Sequence, residues 1–462
     1  MNQDSSHQLE RIWAALGGSG DELSRITAVR PVGDELSAPL WDLVHDSIAA
    51  ASLQAALMSG GASTVTLDAQ RVLTAVTSKR YLRLDGEGAE IWSDLSGFWR
   101  CADGWVRTHT NYPHHRRRLL DVLELPAGAD AEHVAARLIE LPGSHIEEHA
   151  AAAGALASRV RSVEEWAAHP VGSSVATEPL IEMVGSDSGA RGRRHPVDRF
   201  APLVGLRVLD FTRVIAGPVA TRTLALLGAD VLRIDSPDHP ESQRQHLDTG
   251  AGKRSALLRL SDEPERIEQL VQAADVIVLG YRPSALDRFG FDPDRLLERH
   301  PGLVVAQIDA WGWSTPWTQR RGFDSIVQAA SGIAVACSAD GDEPGALPFQ
   351  ALDHSAGYLL AAGVMRAVER REVGGHGSRV RVSLARVAHE LMASGFAGPT
   401  TTPPFQPTLS TTRTPLGRVT SALPALSYEG GPAEWTAASR PWGSDPAAWW
   451  PNDGVASPSA RE

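Results

Sequence analysis

The sequence predicts an α/β protein, in which a domain built on a parallel sheet is joined to a smaller α+β domain. After about residue 203, short apolar runs of strand length alternate with segments of helical spacing. This alternation indicates a parallel sheet with helices on both faces. Before about residue 185, helical segments are interrupted by short strands and by turns of Asp and Gly. The length of 462 residues is sufficient for two or three domains with substantial cores.

The first 184 residues (1–184) are predicted to form the smaller α+β domain. Segments 77–86 and 91–110 read as strands that are joined by turns containing Asp and Gly. Helical spacing is found in five further segments, 40–57, 113–123, 131–141, 146–157 and 163–168. Residues 185–202 are polar, basic and rich in Gly, and we predict that they form a linker to the next domain.

The parallel-sheet domain is predicted to cover residues 203–395, and its first elements have the clearest pattern. Leu206–Phe211 is a short apolar run, typical of a strand that is buried on both faces. Pro218 suits the first turn of a helix, and Val219–Leu227 has helical spacing. Gly228 can end that helix, after which Asp230–Ile234 reads as a second strand. The order strand, helix, strand is the repeating unit of a parallel sheet.

Composition and charge exclude several classes of function. The net charge of −12 argues against nucleic acid as the main partner. No apolar run approaches the roughly 20 residues of a membrane helix, so we expect no membrane partner. The first residues lack the features of a secretory signal, which makes the cytoplasm the expected location. Cys101 and Cys337 are too few for a disulfide framework, and His109, His114 and His115 lack further ligands, so no metal site is expected.

Basic charge in this chain is almost entirely arginine. Lys79 and Lys253 are the two lysines in the sequence. Any pocket for a polyanionic ligand must therefore be built mostly from arginines, whose guanidinium groups suit phosphate well.

Six separated motifs in the second half carry a family resemblance. They are GKRSALLRL (252–260), ADVIVLGYRPSALDRFGF (274–291), HPGLVVAQIDAWG (300–312), RGFDSIVQAASG (321–332), ALDHSAGYLLAAGVMRAVERR (351–371) and GHGSRVRVSL (375–384). In this order, over about residues 200–395, they resemble the family III CoA-transferases, to which the α-methylacyl-CoA racemases are related. The resemblance implies a Rossmann-like CoA-binding domain, an acyl-CoA and a carboxylic acid as substrates, no permanently bound cofactor, and a homodimer.

The order of the domains departs from that family. ADGWVRTHTNYPHHRRRLLDVL and VEEWAAHPVGSSVATEPL, both before residue 181, resemble the family's small α+β domain, which normally follows the CoA-binding half. The chain therefore resembles either a circularly permuted family member or a recombined fragment of a duplicated gene. Residues 396–462 are rich in Pro, Thr, Ser and Gly. We predict a C-terminal return segment that becomes disordered after about residue 443.

Asp353 is the residue that we expect to carry the chemistry. It occupies the place of the family's nucleophilic aspartate, just before a helix of small residues. A carboxylate can attack a thioester carbonyl and form a mixed anhydride, which divides one difficult transfer into easier steps. The alternative role for Asp353 is that of a helix N-cap. Backbone N–H groups near Gly332 and Gly357 are candidates to stabilise the oxyanion.

A CoA site needs cations and helix N-termini for its phosphates. By resemblance, Val214 and Ala216 line the turn against the nucleotide, and Arg288 and Arg321 are basic contacts. The full set of expected CoA-site residues is Val214, Ala216, Lys253, Arg254, Tyr281, Arg288, Arg321, Phe323 and Asp324.

Two other functions stay open at the level of sequence. An acyl-CoA racemase or isomerase needs an acid/base pair at the α-carbon. Phe323 stands where the racemases have His, and this favours transfer. The second alternative is a non-catalytic acyl-CoA-binding subunit of a hetero-oligomer, which the altered domain order suggests.

Overall fold

A computed structural model of the chain describes residues 7–27, 29, 33, 35–60, 63–88, 92–189, 198 and 200–450. The first part contains helices and very short strands. Its elements are α1 (His7–Ala15), a 3₁₀ helix (Gly20–Arg25), β1 (Ile26–Thr27), α2 (Ala38–Met58), β2 (Val65–Thr66), α3 (Ala69–Val76), α4 (Ser78–Tyr81) and β3 (Arg83–Leu84). Of the helices in the described residues, none combines the length and the apolar character that crossing a membrane requires.

The next part is a small α+β unit with its own apolar core. Its elements are β4 (Phe98–Cys101), β5 (Gly104–Thr108), α5 (Pro113–Val122), α6 (Ala131–Leu138), α7 (Gly143–Ala153), β6 (Ala157–Arg159), α8 (Val163–Ala168) and α9 (Pro170–Thr177). The three strands form an antiparallel sheet in the order β4-β5-β6. Leu119, Val134 and Ile146, one from each of α5, α6 and α7, are buried in the core beside Val106 of β5.

The remaining elements form the α/β part of the molecule and its C-terminal extension. They are β7 (Glu182–Gly189), β8 (Arg207–Phe211), α10 (Ala216–Leu226), β9 (Asp230–Asp235), α11 (Gln243–Thr249), β10 (Arg254–Leu257), α12 (Pro264–Gln272), β11 (Val276–Leu279), a 3₁₀ turn (Asp287–Phe289), α13 (Pro293–Arg299), β12 (Val304–Asp309), α14 (Asp324–Ala330), α15 (Ile333–Ala336), α16 (Ala351–Gly374), β13 (His376–Ser383), α17 (Leu384–Ala393), β14 (Leu409–Thr414) and β15 (Gly417–Ala422). The predicted α/β class with a parallel sheet is confirmed.

A seven-stranded sheet in the order β10-β9-β8-β11-β12-β13-β7 organises this part. The six strands from β8 to β13 are parallel, and β7 joins the edge antiparallel to β13. Numbered along the chain, the parallel strands follow the order 3-2-1-4-5-6, which is the order of the doubly wound nucleotide-binding folds. The order reverses between β8 and β11. Ligands of such sheets bind at the carboxyl ends of the strands beside this reversal.

The prediction that residues 1–184 form one α+β domain needs correction. Helix α2 packs along α16 of the large part, and Ala49, Ala50 and Ala51 have no exposed surface. A helix that is apolar on all sides must be covered on all sides, and the small unit is too small to cover it. Residues 7–76 therefore belong to the core of the large part, and so do buried residues of α8 and α9, whereas the separate small core runs from Leu95 to Ala157.

Two predicted boundaries also differ from the structure. The strand Glu182–Gly189 extends into the predicted linker 185–202, and residues 190–197 and 199 lie outside the described residues. The tail after residue 443 was expected to be disordered, yet residues 444–450 pack on the sheet edge. Asp445 exchanges backbone and side-chain hydrogen bonds with Ser255, and Trp449 Nε1 donates to the carbonyl of Leu270 at 3.0 Å. Residues 451–462 lie outside the described residues.

Candidate active site

A cavity of about 460 Å³ lies beside the carboxyl end of β8, close to the reversal of strand order. The turn after β8 supplies Val214 and Ile215, and the first turns of α14 and α16 supply Asp324 and Asp353. The opposite wall comes from the N-terminal parts of the chain, with residues such as Lys79 and Trp92. The cavity is therefore lined by residues between Lys79 and Pro113 as well as by the α/β part.

Asp353 lies in the first turn of α16 with a side chain that faces this cavity. It is 6% exposed, and within the described residues no group donates a hydrogen bond to its carboxylate. Burial and the nearby carboxylate of Asp324 raise its pKa, and the positive charge of Lys79 opposes this rise. A carboxylate without partners in a cavity is available to react with a bound ligand.

The helix-capping role that was the alternative for Asp353 is taken by Asp324. Asp324 Oδ2 accepts the backbone N–H groups of Leu352 and Asp353 at 3.0 and 3.2 Å, and Gln328 donates to Oδ1. Gln350, rather than Asp353, occupies the position that precedes the helix. Burial raises the pKa of Asp324 to about 6. Asp324 was predicted as a CoA contact, but it is 2% exposed and holds the start of α16 in place.

Lys79 is a cation that lines the cavity beside Arg244, and the sequence did not predict either residue there. Lys79 lies on α4, lines the cavity and interacts electrostatically with Asp353, Asp324 and Glu241. Burial lowers the pKa of Lys79, while these carboxylates act in the opposite direction. The rarity of lysine in the chain was the one signal that could have identified it.

The turn after β8 approaches the cavity with a strained backbone. Val214 has a φ of 71°, which is unusual for a β-branched residue. Asp210 holds the turn by accepting from the N–H and hydroxyl of Thr212 at 2.9 and 2.6 Å, and Gln245 donates to the carbonyl of Val214 at 2.7 Å. Strain of this kind is typical of ligand-contacting turns. Val214 lines the cavity as predicted for the turn, and Ala216 begins α10 just behind it.

Phe323 and His109 form an aromatic wall of the same cavity. Their rings stack with centroids 4.2 Å apart at an angle of 15°, and Trp92 meets His109 edge-on at 5.8 Å. Burial lowers the pKa of His109 to about 3, so the ring is neutral at physiological pH. The structure thus stacks the imidazole of His109 on the phenyl ring of Phe323.

Lys253 and Arg254 were predicted near the ligand, and the structure does not bring them there. Lys253 Nζ donates to Asp210 at 3.1 Å and to Thr221 at 2.9 Å inside the core. Arg254 donates twice to Asp230 Oδ1, at 3.0 and 2.7 Å. Both cations are buried and satisfied by partners within the fold, which leaves neither of them facing the cavity.

The other predicted CoA-contacting residues lie at three separate places. Arg321 is half-buried beside Arg118, and both donate to the carbonyl of Gly154, at 3.4 and 3.2 Å. Arg288 is exposed in a surface cavity of about 400 Å³ near α12. Tyr281 packs behind the strands, where burial raises its pKa to about 12. The structure therefore does not gather Arg288, Arg321 and Tyr281 around Asp353.

The two predicted oxyanion glycines also serve other purposes. Gly357 lies inside α16 and packs against α10, where an added Cβ would approach the carbonyl oxygen of Ala216 at 2.5 Å. Gly332 has a φ of 91° between α14 and α15 and contacts Val163 of the small unit. Neither glycine lines the cavity. The structure therefore does not bring Gly332 or Gly357 to Asp353, and Gly357 serves the close packing of α16 on α10.

We expect Gly357→Ala to destabilise the fold, because the new methyl group would collide with backbone atoms of α10. Overpacking of this kind costs about 1–3 kcal/mol of the free energy of unfolding. Urea unfolding measures the effect. Gly128→Ala is the control, since a Cβ at Gly128 meets no atom within 4 Å. Equal stability of the two variants would contradict the close packing of α10 on α16.

Within the described ranges, no group of three or more His, Cys, Asp and Glu side chains is arranged to hold a metal ion. His114 and His115 lie with ring centroids 4.1 Å apart, and burial lowers their pKa values to about 4 and about 2. They pack beside Tyr112 at the edge of the cavity.

The fold and the cavity agree with the match that the sequence makes to a known family. Residues 203–419 match the sequence profile of CoA-transferase family III. This part of the chain is therefore similar to CoA-transferase family III. The match includes Asp353 and the strained turn at Val214, whereas Lys79 and His109 lie outside it.

Curated relatives match the same part of the chain. The chain is 33% identical over 208 residues to the probable fatty acyl-CoA transferase Rv3272 of Mycobacterium tuberculosis, covering 42% of this chain and 53% of that protein. It is 37% identical over 191 residues to the acetyl-coenzyme A transferase nodX of Hypoxylon pulicicidum, covering 40% and 32%. It is 34% identical over 195 residues to the formyl-CoA:oxalate CoA-transferase of Streptomyces coelicolor, covering 39% and 47%. The chain spans about half the length of the first and third of these relatives and a third of the second.

A solved structure of the Rv3272 protein from Mycobacterium tuberculosis also matches. It is 34% identical, covers 42% of this chain and 59% of its own, and has a TM-score of 0.40.

Proposed function

We propose that this protein is a CoA-transferase, which moves CoA between an acyl-CoA thioester and a carboxylic acid with Asp353 as the nucleophile. The observation that carries the proposal is the carboxylate of Asp353, which faces the cavity and accepts no hydrogen bond from the residues that the structure describes. A structural carboxylate at this depth would be paired, because burying an unpaired charge is costly. The family match of residues 203–419 supports the same chemistry.

The steps balance without a further reagent. A carboxylate oxygen of Asp353 attacks the thioester carbonyl, the C–S bond breaks, and a mixed anhydride and CoA thiolate form. The thiolate attacks the aspartyl carbonyl, which releases the donor acid and leaves an aspartyl thioester. The acceptor carboxylate then displaces CoA as thiolate and forms a new anhydride. Attack of this thiolate on the acceptor's acyl carbonyl yields the new acyl-CoA and regenerates Asp353.

Charge in the cavity supports these steps. Each attack develops negative charge on a carbonyl oxygen, and Lys79 is a cation that lines the cavity and interacts electrostatically with Asp353 and Asp324. Asp324 fixes the first turn of α16 through two backbone hydrogen bonds, so that Asp353 is held in one position. The same proposal includes a homodimer of the kind found in the family. It also includes a permuted domain order, in which the N-terminal parts of the chain supply the cavity wall that contains Lys79 and Trp92.

We assign the CoA phosphates to a group of arginines formed by Arg118, Arg282 and Arg321. In the described part of the chain none of the three has a carboxylate partner, and burial together with the charges of Arg282 and Arg118 lowers the pKa of Arg321 to about 10. Cations that repel each other in this way are stabilised when a phosphate binds between them.

Arg321→Gln is expected to weaken CoA binding about tenfold, because one charge-assisted hydrogen bond to phosphate is lost. Isothermal titration calorimetry with CoA measures the dissociation constant. Arg320→Gln is the matched control, since Arg320 is paired with Glu148 at 2.7 Å. An unchanged dissociation constant in Arg321→Gln would place the phosphates elsewhere.

A second candidate function is exchange of the α-proton of an acyl-CoA. His109 favours it, because this imidazole lines the same cavity as Asp353 and stacks on Phe323. Acid/base exchange requires such a pair at the substrate carbon. The pKa of about 3 makes His109 a weak base, and this argues for transfer.

The test is mass spectrometry of a panel of acyl-CoAs incubated with the protein in D2O, with and without candidate acids. A new acyl-CoA that forms only when an acid is added supports transfer and identifies the acceptor. Gain of one deuterium at the α-carbon without an acid supports the second candidate. Neither change, with CoA bound, indicates a non-catalytic acyl-CoA-binding subunit.

A further inference from the structure

A second cavity of about 430 Å³ adjoins the cavity of Asp353. Lys79, Trp92 and Gln350 line both cavities, so these three side chains form the boundary between them. A ligand that extends past this boundary would occupy both spaces. The second cavity is therefore placed to receive the far end of a molecule whose reacting carbonyl lies at Asp353.

Arg107 is the unusual residue of the second cavity. It is 9% exposed, lines the cavity, and its Nε is buried without a hydrogen-bond partner. In the described ranges its guanidinium has no ion pair, and it lies over the rings of Phe98 at 4.5 Å and Trp92 at 5.3 Å. Burial lowers the pKa of Arg107 to about 10, against the negative charge of Asp324, which forms no ion pair with it in the described ranges, so the group stays charged at neutral pH. A buried guanidinium of this kind requires an anion.

The surroundings of Arg107 are cationic and apolar. Lys79 and Arg80 of α4 line the same cavity, and in the part of the chain that the structure describes no Asp or Glu lines it. The remaining wall includes Val76, Leu347 and Phe349, which suit a hydrocarbon chain. A carboxylate at the end of a short carbon chain matches both the charge and the apolar wall.

We propose that the second cavity binds the distal carboxylate of a dicarboxylic acid, or of its CoA thioester, through Arg107. The substrate class of the enzyme is thus an acid with a second negative charge, and this assignment rests on the proposed transfer function. A phosphate of CoA is the other anion to consider. The arginine group of Arg118, Arg282 and Arg321 lines or borders a different cavity that shares no residue with this one. The Arg107 cavity adjoins the cavity of Asp353 through Lys79, Trp92 and Gln350, so we assign the anion it holds to the acyl group.

Binding measurements test this assignment without relying on turnover. Glutarate, adipate and suberate are titrated into the full chain against pentanoate, hexanoate and octanoate, with CoA titrated separately. At least one dicarboxylate should bind about tenfold more tightly than its monocarboxylate of equal length. Arg107→Met should bring this ratio close to one, and Arg107→Lys should restore part of it. Arg100→Met is the control, because Arg100 pairs with Asp342 on the surface of the same small unit.

Two results would overturn the assignment. One concerns the preference for dicarboxylates: the assignment fails if the wild type shows no such preference, or if folded Arg107→Met keeps the same preference as the wild type. The other is a loss of CoA affinity in Arg107→Met, which would assign the cavity to a phosphate. If Arg107→Met does not fold, the wild-type ratios and Arg107→Lys decide. Failure of the transfer function is separate: it gives no new acyl-CoA with any acid, while the Arg107-dependent preference in binding persists.

Discussion

Replacing Asp353 by Asn is expected to lower kcat for CoA transfer by about 10³–10⁴-fold. The amide has almost the same shape, but it has no anionic oxygen that can attack a thioester. The cavity and the arginine group remain, so the dissociation constant of CoA should stay within about twofold of the wild type. Mass spectrometry of the product acyl-CoA gives the rate, and calorimetry gives the affinity. Loss of activity together with loss of CoA binding would instead indicate a structural role.

The same variant should be more stable than the wild type at pH 8. The pKa of Asp353 is raised by burial and by Asp324, so folding favours its protonated form. Stability from such a group is present at low pH and is lost as the pH rises through its folded-state pKa. Asn carries no charge to bury, and we expect a gain of about 1–3 kcal/mol at pH 8 that disappears near pH 4. Thermal unfolding at the two pH values measures it, and a variant less stable at pH 8 would contradict the burial of an unpaired carboxylate.

Asp309→Asn is the matched control for both effects. Asp309 is buried outside the cavity, and burial raises its pKa to about 7. Its Oδ2 accepts the N–H groups of Trp311 and Gly312 at 2.9 and 3.2 Å, which an Asn oxygen can also accept. We expect a similar dependence of stability on pH with activity retained. If both variants lose activity equally, the loss of a buried carboxylate, rather than of a nucleophile, explains the effect.

Elements with strong local patterns could be predicted from the sequence. The predicted ends of β8 and β9 differ from the observed ends by no more than one residue, and the predicted helix α10 begins three residues later than the observed one. The predicted bounds of α8 coincide with the observed bounds. These segments combine apolar periodicity with Gly or Pro at their ends, so local sequence is sufficient. Helix α2 was also recognised, but its partner was not, because an apolar surface does not specify which helix will cover it.

The candidate site was only partly predictable, because its walls come from distant parts of the chain. Asp353 and Val214 lie in motifs of the α/β part, and both line the cavity. Lys79 and Arg107 come from the N-terminal parts, and no local pattern connects either residue with Asp353. Lys253, one of the two lysines, was predicted to lie in the CoA site. In the structure Lys253 pairs with Asp210 in the core instead. Sequence alone does not distinguish a lysine that faces a cavity from one that pairs inside a fold.

Lys79→Met is expected to lower kcat/KM for transfer about 100-fold and to move the rise of activity to higher pH. The first effect follows from the loss of the cation that stabilises developing oxyanions in the cavity. The second has a defined sign, because the positive charge of Lys79 lowers the pKa of Asp353, and removing it raises that pKa further. The nucleophile would then ionise only in more alkaline solution. Rates measured across the pH range, with Lys79→Arg as the charge-preserving variant, test both effects.

Lys253→Met is the matched control, since it removes the other lysine of the chain. Its loss leaves Asp210 buried without its cation, and we expect about 3–5 kcal/mol of destabilisation. The pH profile of the remaining activity should stay unchanged, because Lys253 does not line the cavity. We therefore expect Lys79→Met to change the pH profile of activity, and Lys253→Met to lower the stability without changing that profile. The prediction fails if the pH profile of Lys79→Met coincides with that of the wild type and Lys79→Arg is as slow as Lys79→Met. In that case the side chain of Lys79 acts through its size, and burial and Asp324 alone set the pKa of Asp353.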